Sequence, residues 1–169
     1  MFSLLPERAE DGAAIDTLLD HAFGAGRRER TVYRLRLGAP VAGLSFVARR
    51  NGAFVGSLRF WPVELDHGVG AVLLGPLAVE PGLRGQGIGK GLVAHGLDAA
   101  RRAGHGLCLV SGDPGYYRPF GFVAAAPLGL RLPGPVAEGH FQVTELSPGW
   151  LALARGTVRL PSGRAEAAA

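Results

Sequence analysis

Apolar positions within residues 11–23 fall at Ile15, Leu18, Leu19, Ala22 and Phe23, the spacing of one buried helix face. Asp11 stands where an N-cap belongs, and Gly24 ends the pattern. A second helix is predicted over 27–37, with Arg27, Arg30 and Arg34 on one face and Val32 and Leu35 on a narrow apolar one. The period then shortens to that of strands. Segments 44–50 and 54–63 meet across Asn51-Gly52, the dipeptide of a type I′ hairpin. A turn at His67-Gly68 leads into Gly70–Val79, whose run Ala71-Val72-Leu73-Leu74 suits a strand buried on both faces. After a glycine-rich loop, a helix is predicted over 86–103, with Ile88, Leu92, Val93, Leu97 and Ala100 inward and Gly104 at its end. Residues 107–110 read as the next strand, and 113–119 as a loop or short helix interrupted by Pro114 and Pro119. Strand-like pieces at 120–124, 128–132, 140–146 and 154–160 follow among Gly and Pro. The order of elements is α/β with a mixed sheet rather than a repeating βαβ array. Residues 1–160 make one domain, and 161–169 read as a loose tail.

Composition narrows this little. An apolar content of 47% over 169 residues fits one packed domain rather than a disordered chain. No apolar run approaches the roughly 18–20 residues of a membrane span, and the first residues lack a basic, long-apolar leader; the expectation is a cytoplasmic protein with no membrane partner. The lone Cys108 sits in an apolar strand and reads as a small core residue; no Cys/His cluster has zinc spacing, so no metal is expected. The net charge is +4, and all of the 18 basic residues but Lys90 are Arg. Without aromatic-interleaved basic stretches or a nucleic-acid module, that balance does not argue for nucleic acid. The cluster Arg27, Arg28, Arg30, Arg34 and Arg36 reads either as a solvated face or as the lining of a site for an acidic ligand.

The chemistry concentrates in the stretch from Leu77 to Lys90. A strand runs through a glycine loop straight into a helix, leaving unpaired N–H groups where the macrodipole favours an anion. A Walker A loop is excluded, because Arg84 stands where its first Gly belongs and Gly91 where its Ser or Thr belongs. A dinucleotide fingerprint is excluded as well, since Gly89-x-Gly91-x-x-Ala94 lies inside the helix and far past the strand end at Val79. The spacing Arg84-x-x-Gly87-x-Gly89 is matched by a second signal further on. Asp113-Pro114-Gly115-Tyr116-Tyr117 is followed by Gly121-Phe122 at the spacing Tyr-x-x-x-Gly-Phe.

Together these two motifs resemble the GCN5-related N-acetyltransferases (GNAT) over roughly residues 70–124. The Gly-Asp-Pro-x-Tyr-Tyr form, with Gly-Thr-Val-Arg at Gly156 to Arg159, is similar to a bacterial branch without assigned acceptors. The resemblance implies a central mixed, mostly antiparallel twisted sheet flanked by helices, with strands splayed at the cofactor site. It implies acetyl-coenzyme A (acetyl-CoA) as co-substrate, with Leu77, Ala78 and Val79 on the pantetheine arm and Arg84, Gly85, Gln86, Gly87, Ile88 and Gly89 around the pyrophosphate. Tyr117 would be the general acid toward the thiolate, with Tyr116 beside it as packing or cofactor contact. Relatives place an Asn at the offset held here by Val110; Asp113 either takes over that contact or caps the short helix. Ala78 or Val79 would polarise the acetyl carbonyl through its N–H, since Pro76 has none.

The implied activity is acetyl transfer to a primary amine by direct attack in a ternary complex. The alternative is a non-catalytic acyl-CoA-binding module of the same fold. Glu64, His67 and Glu80 are the titratable groups near the relevant strands, and each reads first as a solvated strand-end residue; the base stays open between Glu64 through a water relay, a water chain and an amine already partly neutral. The acceptor is a small-molecule or peptide amine, and the chain a monomer or homodimer.

Overall fold

A computed structural model of the chain describes residues 1–162; the tail expected over 161–169 lies from residue 163 on outside the described residues. The first strand, β1 (Ser3–Pro6), was not foreseen: its four residues are too few for a readable alternation, and it forms only by pairing antiparallel with β2 (Ser45–Arg50). Helix α1 (Gly12–Phe23) buries Ile15, Leu18 and Leu19 as the periodicity requires, and Gly24 leaves it at φ 81°. Asp11 is not its side-chain cap. Its carboxylate accepts the Arg8 N–H at 2.8 Å and pairs with Arg49 instead.

No second helix forms over 27–37. Two 3-10 turns, Ala25–Glu29 and Thr31–Leu35, flank an extended Arg30. The cause is Arg27, which turns inward rather than sharing a face with Arg30 and Arg34. Its Nε donates to Asp20 at 2.8 Å, its Nη1 donates to the Tyr33 hydroxyl at 2.8 Å, and 4% of its surface stays exposed.

The hairpin of β2 and β3 (Ala53–Glu64) turns on Asn51 and Gly52, both at positive φ. Strand β4 (Gly70–Val79), helix α2 (Ile88–Arg102) and β5 (Leu107–Ser111) follow. A single helical turn, α3 (Pro114–Tyr117), precedes β6 (Val123–Ala124), β7 (Leu130–Arg131), β8 (Phe141–Glu145) and β9 (Gly156–Thr157). Three of the four C-terminal pieces shrink to two residues, because Pro and Gly break the ladders on either side. The main sheet has the order β1-β2-β3-β4-β5-β8-β6, antiparallel except between β4 and β5; β7 and β9 pair separately.

Helix α2 covers one sheet face, packing Ile88, Leu92, Val93 and Leu97 onto Leu58, Phe60, Val72 and Leu74. Helix α1 covers part of the other with Val47 and Ala78 beneath it. The feature that positions a site is where β4 and β5 part. They pair only at Val72↔Cys108 and Leu73↔Leu109. Beyond Leu73, β4 bulges at Gly75-Pro76, its register on β3 jumping from Phe60↔Leu74 to Leu58↔Leu77. Meanwhile β5 stays on β8 as far as Ser111↔Phe141. A parallel pair that separates while each strand keeps its outer partner leaves a wedge between them.

Candidate active site

That wedge is the inner end of a cleft of about 1100 Å³ bounded by β4, the N-terminus of α2, the 111–117 segment, the turns around Arg27–Arg36 and the 132–140 loop. On β4 the free donors follow from alternation. The Glu80 N–H bonds to the Val55 carbonyl, so Ala78, two residues back and opposite Ser57, also aims its N–H at β3. Leu77 and Val79 therefore present theirs to the cleft. Of the two residues expected to polarise a carbonyl, Ala78 is excluded by this register and Val79 is retained; Leu77 joins it.

The loop is built to expose backbone. The Arg84 N–H bonds back to Pro81 and the Gly91 N–H to Gly87; the N–H groups from Gly85 to Lys90 find no acceptor among the described residues. Gly85 and Gly87 take φ of 81° and 85°, a region only glycine enters without strain, and nothing stands within 4 Å of where a Cβ would lie. Arg84, Gly85, Gly87, Ile88, Gly89 and Lys90 all line the cleft. Gln86 does not: its side chain accepts from Arg50 on β2. Lys90, unmarked in the sequence reading, adds a second cation beside Arg84.

Tyr117 is held from three sides. Its ring meets Tyr116 edge-on at 4.9 Å and Phe122 at 5.6 Å, and Gly112 lies under it so closely that a Cβ there would fall 2.5 Å from the ring. The residue is buried yet borders the cleft. Burial, with Tyr116 and Cys108 adding to it and Arg36 opposing, pushes its hydroxyl well above the ordinary phenol range. The group is a neutral proton donor across the working pH range. The Tyr116 hydroxyl stands at the start of α2, 2.7 Å from where a Gly89 Cβ would be. Asp113 borders the cleft, but its carboxylate accepts the Gly115 N–H at 3.0 Å as the cap of α3.

The suggested bases are not brought in. Glu64 closes an ion pair with Arg159 at the far end of β3, opposite Gly70, and His67 sits in the adjoining turn. Neither they nor Glu80 line the cleft. Nearness to the strands in sequence missed that β4 runs on the order of 30 Å from Gly70 to Val79. His140, which immediately precedes β8 and borders the cleft, is the one imidazole there among the described residues; no sequence signal marked it. Cys108 is fully buried and burial pushes its thiol up, so it is a core residue. Among the described residues, no three His, Cys, Asp or Glu side chains gather as a metal site, and no helix is long and apolar enough to cross a membrane.

Known proteins fit this geometry. Residues 42–124 match the description "Acetyltransferase (GNAT) domain". The chain is 35% identical over 139 residues to the uncharacterized N-acetyltransferase YhbS of Escherichia coli K12, covering 81% of this chain and 83% of that one. A crystal structure of E. coli YhbS in complex with CoA superposes with a TM-score of 0.81 at 33% identity, over 93% of this chain and 88% of that one. A GNAT family acetyltransferase from Brucella melitensis in complex with acetyl-CoA gives a TM-score of 0.71 at 28% identity, over 97% and 98%.

Proposed function

The chain belongs to the GNAT N-acetyltransferases, and from that premise we propose that it moves the acetyl group of acetyl-CoA to a primary amine by direct attack, both substrates held in the one cleft. The observation that carries the reading is the joint one. A run of unpaired N–H groups at the start of α2 opens onto the same cleft as the unpaired edge of β4 and a neutral, buried tyrosine. The relatives from E. coli and B. melitensis were solved with CoA and acetyl-CoA, and the residues present here fit that ligand. The N–H groups from Gly85 to Lys90, with Arg84 and Lys90, suit a pyrophosphate. The N–H groups of Leu77 and Val79 suit the carbonyls of an extended arm, as an added strand would.

Acetyl-CoA supplies an activated thioester; the chain supplies placement and a proton. Leu77 or Val79 donates an N–H toward the thioester carbonyl, where negative charge develops. Tyr117 holds a proton for the departing sulfur. Enclosure by the 132–140 loop brings amine and thioester together, so that proximity provides much of the rate.

Calorimetric titration of the full chain with acetyl-CoA tests the cofactor half of this reading. One equivalent binds, and Arg84→Ala weakens binding about tenfold, as the loss of a charge-assisted phosphate contact entails. Absence of binding, or an Arg84→Ala affinity equal to the wild type, contradicts it.

A further inference from the structure

At the β4 bulge, one side-chain nitrogen of the cleft is buried without an acceptor among the described residues. Arg36 reaches in from the Thr31–Leu35 turn and presses against the β4 bulge, where a Cβ on Gly75 would fall 2.6 Å from its Nη2. Its Nε is buried without an acceptor, and among the described residues no carboxylate pairs with it. Its company is the Tyr33 ring, 4.8 Å from the guanidinium carbon. Burial pulls the group down to about 10, the Tyr33 side chain partly offsetting this, so it stays a cation at neutral pH. Buried guanidinium groups are ordinarily paired. The neighbouring Arg27, by contrast, has carboxylates at hand: its Nε donates to Asp20, its Nη1 to the Tyr33 hydroxyl, and its Nη2, without a hydrogen bond of its own, lies 3.7 Å from Asp16, so that it braces the ring on which Arg36 rests.

We propose that the acceptor amine carries a carboxylate, and that Arg36 is the residue that holds it. This rests on the acetyltransferase reading and names the substrate class of the same site. Position separates Arg36 from the cofactor phosphates. Gly75 lies four residues before Val79, on the order of 13 Å of strand, at the end where β4 leaves β5. The cations at the phosphate end are Arg84 and Lys90.

The electrostatics of the lining agree. Arg30 also borders this end, over the Phe23 ring at 5.2 Å and with no acidic partner among the described residues. Asp113 is the one acidic side chain on the lining among the described residues, and it is spent on capping α3. Such a wall repels polycationic amines and attracts amino-carboxylates. It is also fixed in shape: the Thr31 hydroxyl donates to the Pro135 carbonyl at 2.6 Å and Arg34 to that of Pro133 at 2.8 Å, tying the turn to the facing loop.

With the carboxylate on Arg36, the amine nitrogen forms its bond to the acetyl carbon and the carbon–sulfur bond breaks. The Tyr117 proton goes to sulfur, and the proton lost by nitrogen leaves to water, from which Tyr117 recovers its own. The products are an N-acetylamino acid and free CoA.

The test is thiol release by the full chain with matched acceptors: glycine, β-alanine, γ-aminobutyrate, the neutral and acidic α-amino acids and dialanine, each beside its terminal amide, with spermidine as a polycation. At least one carboxylate is expected to exceed its amide by about 100-fold in kcat/KM, because the neutral analogue leaves a buried cation unpaired. Arg36→Gln should raise the acceptor KM and erase that preference while the Kd for acetyl-CoA stays unchanged; Arg36→Lys should restore part of it. Amides or spermidine serving as well as or better than carboxylates overturns the proposal and leaves the acetyltransferase reading standing, as does an Arg36→Gln enzyme that keeps the preference. Binding of acetyl-CoA without thiol release to any amine overturns both. If Arg36→Gln fails to bind acetyl-CoA, the wild-type comparison of each acid with its amide decides.

Discussion

Tyr117 is suited to proton donation because its ring is packed between Tyr116, Phe122 and Gly112 and its hydroxyl is kept from ionising. The same packing makes a stability prediction. The folded pKa lies above the unfolded value of 10.0, so the stabilisation is fully present below about pH 10 and is lost as pH rises beyond it, by up to about 1.4 kcal/mol per pH unit. Urea unfolding between pH 9 and 11 should show this decline, with Cys108 adding a similar one from slightly lower pH, and Tyr117→Phe should make it shallower; an equal slope in both proteins counts against the assignment. Residues at this scale differ in how readable they were. Tyr117 stood out through Tyr-x-x-x-Gly-Phe, a spacing that survives in sequence. Arg36 stood out less, because one arginine in a cluster of five reads either as solvated face or as site lining until Tyr33 and the β4 bulge are seen to enclose it. The cap expected of Asp11 fails because Arg8 and the distant Arg49 take its carboxylate, and Glu64 is likewise held by Arg159 from a distant segment.

Helix α2 serves two surfaces, and its glycines show it. A Cβ at Gly89 would fall 2.7 Å from the Tyr116 hydroxyl, the movable end of a half-buried side chain, whereas one at Gly96 would fall 2.5 Å from the ring of Phe60, fixed in the core. Gly89→Ala is therefore expected to weaken acetyl-CoA binding with little change in Tm. Gly96→Ala should cost about 1–3 kcal/mol of stability by overpacking and leave the affinity intact. Calorimetry and thermal melts on both variants check this, and the reverse pattern contradicts it. α2 was legible because its apolar period is regular and Gly104 closes it. The segment 27–37 has good helix formers but breaks at Arg30, since a buried Arg27 with two ionic partners outweighs a few tenths of a kcal/mol per residue of propensity. The strand-like pieces at 120–124, 128–132 and 154–160 hold β6, β7 and β9, but their two-residue lengths are set by pairing partners, which local pattern does not encode.

Across the whole molecule, the mixed sheet foreseen from the order of elements turns out to matter at one pair of strands. Among the described residues the β4–β5 contact is the only parallel one in the main sheet, and its early end opens the cleft. A hydrophobic run at Ala71–Leu74 announces a buried strand, but nothing in Gly75-Pro76 announces a bulge that directs Leu77 and Val79 into open space. Cations mark both ends of the cleft, Arg84 and Lys90 at one and Arg30 and Arg36 at the other, with Tyr117 bordering it as well. On the proposed function, that layout is a cofactor end, an acceptor end and a proton donor on one cleft. Its most direct test is amine-dependent thiol release from saturating acetyl-CoA, compared between the wild type and Tyr117→Phe, with the Kd for acetyl-CoA measured on both. Expected are release that depends on the amine, a kcat about 100-fold lower in Tyr117→Phe and equal acetyl-CoA affinities; a variant that turns over as fast as the wild type contradicts the proposed role of Tyr117.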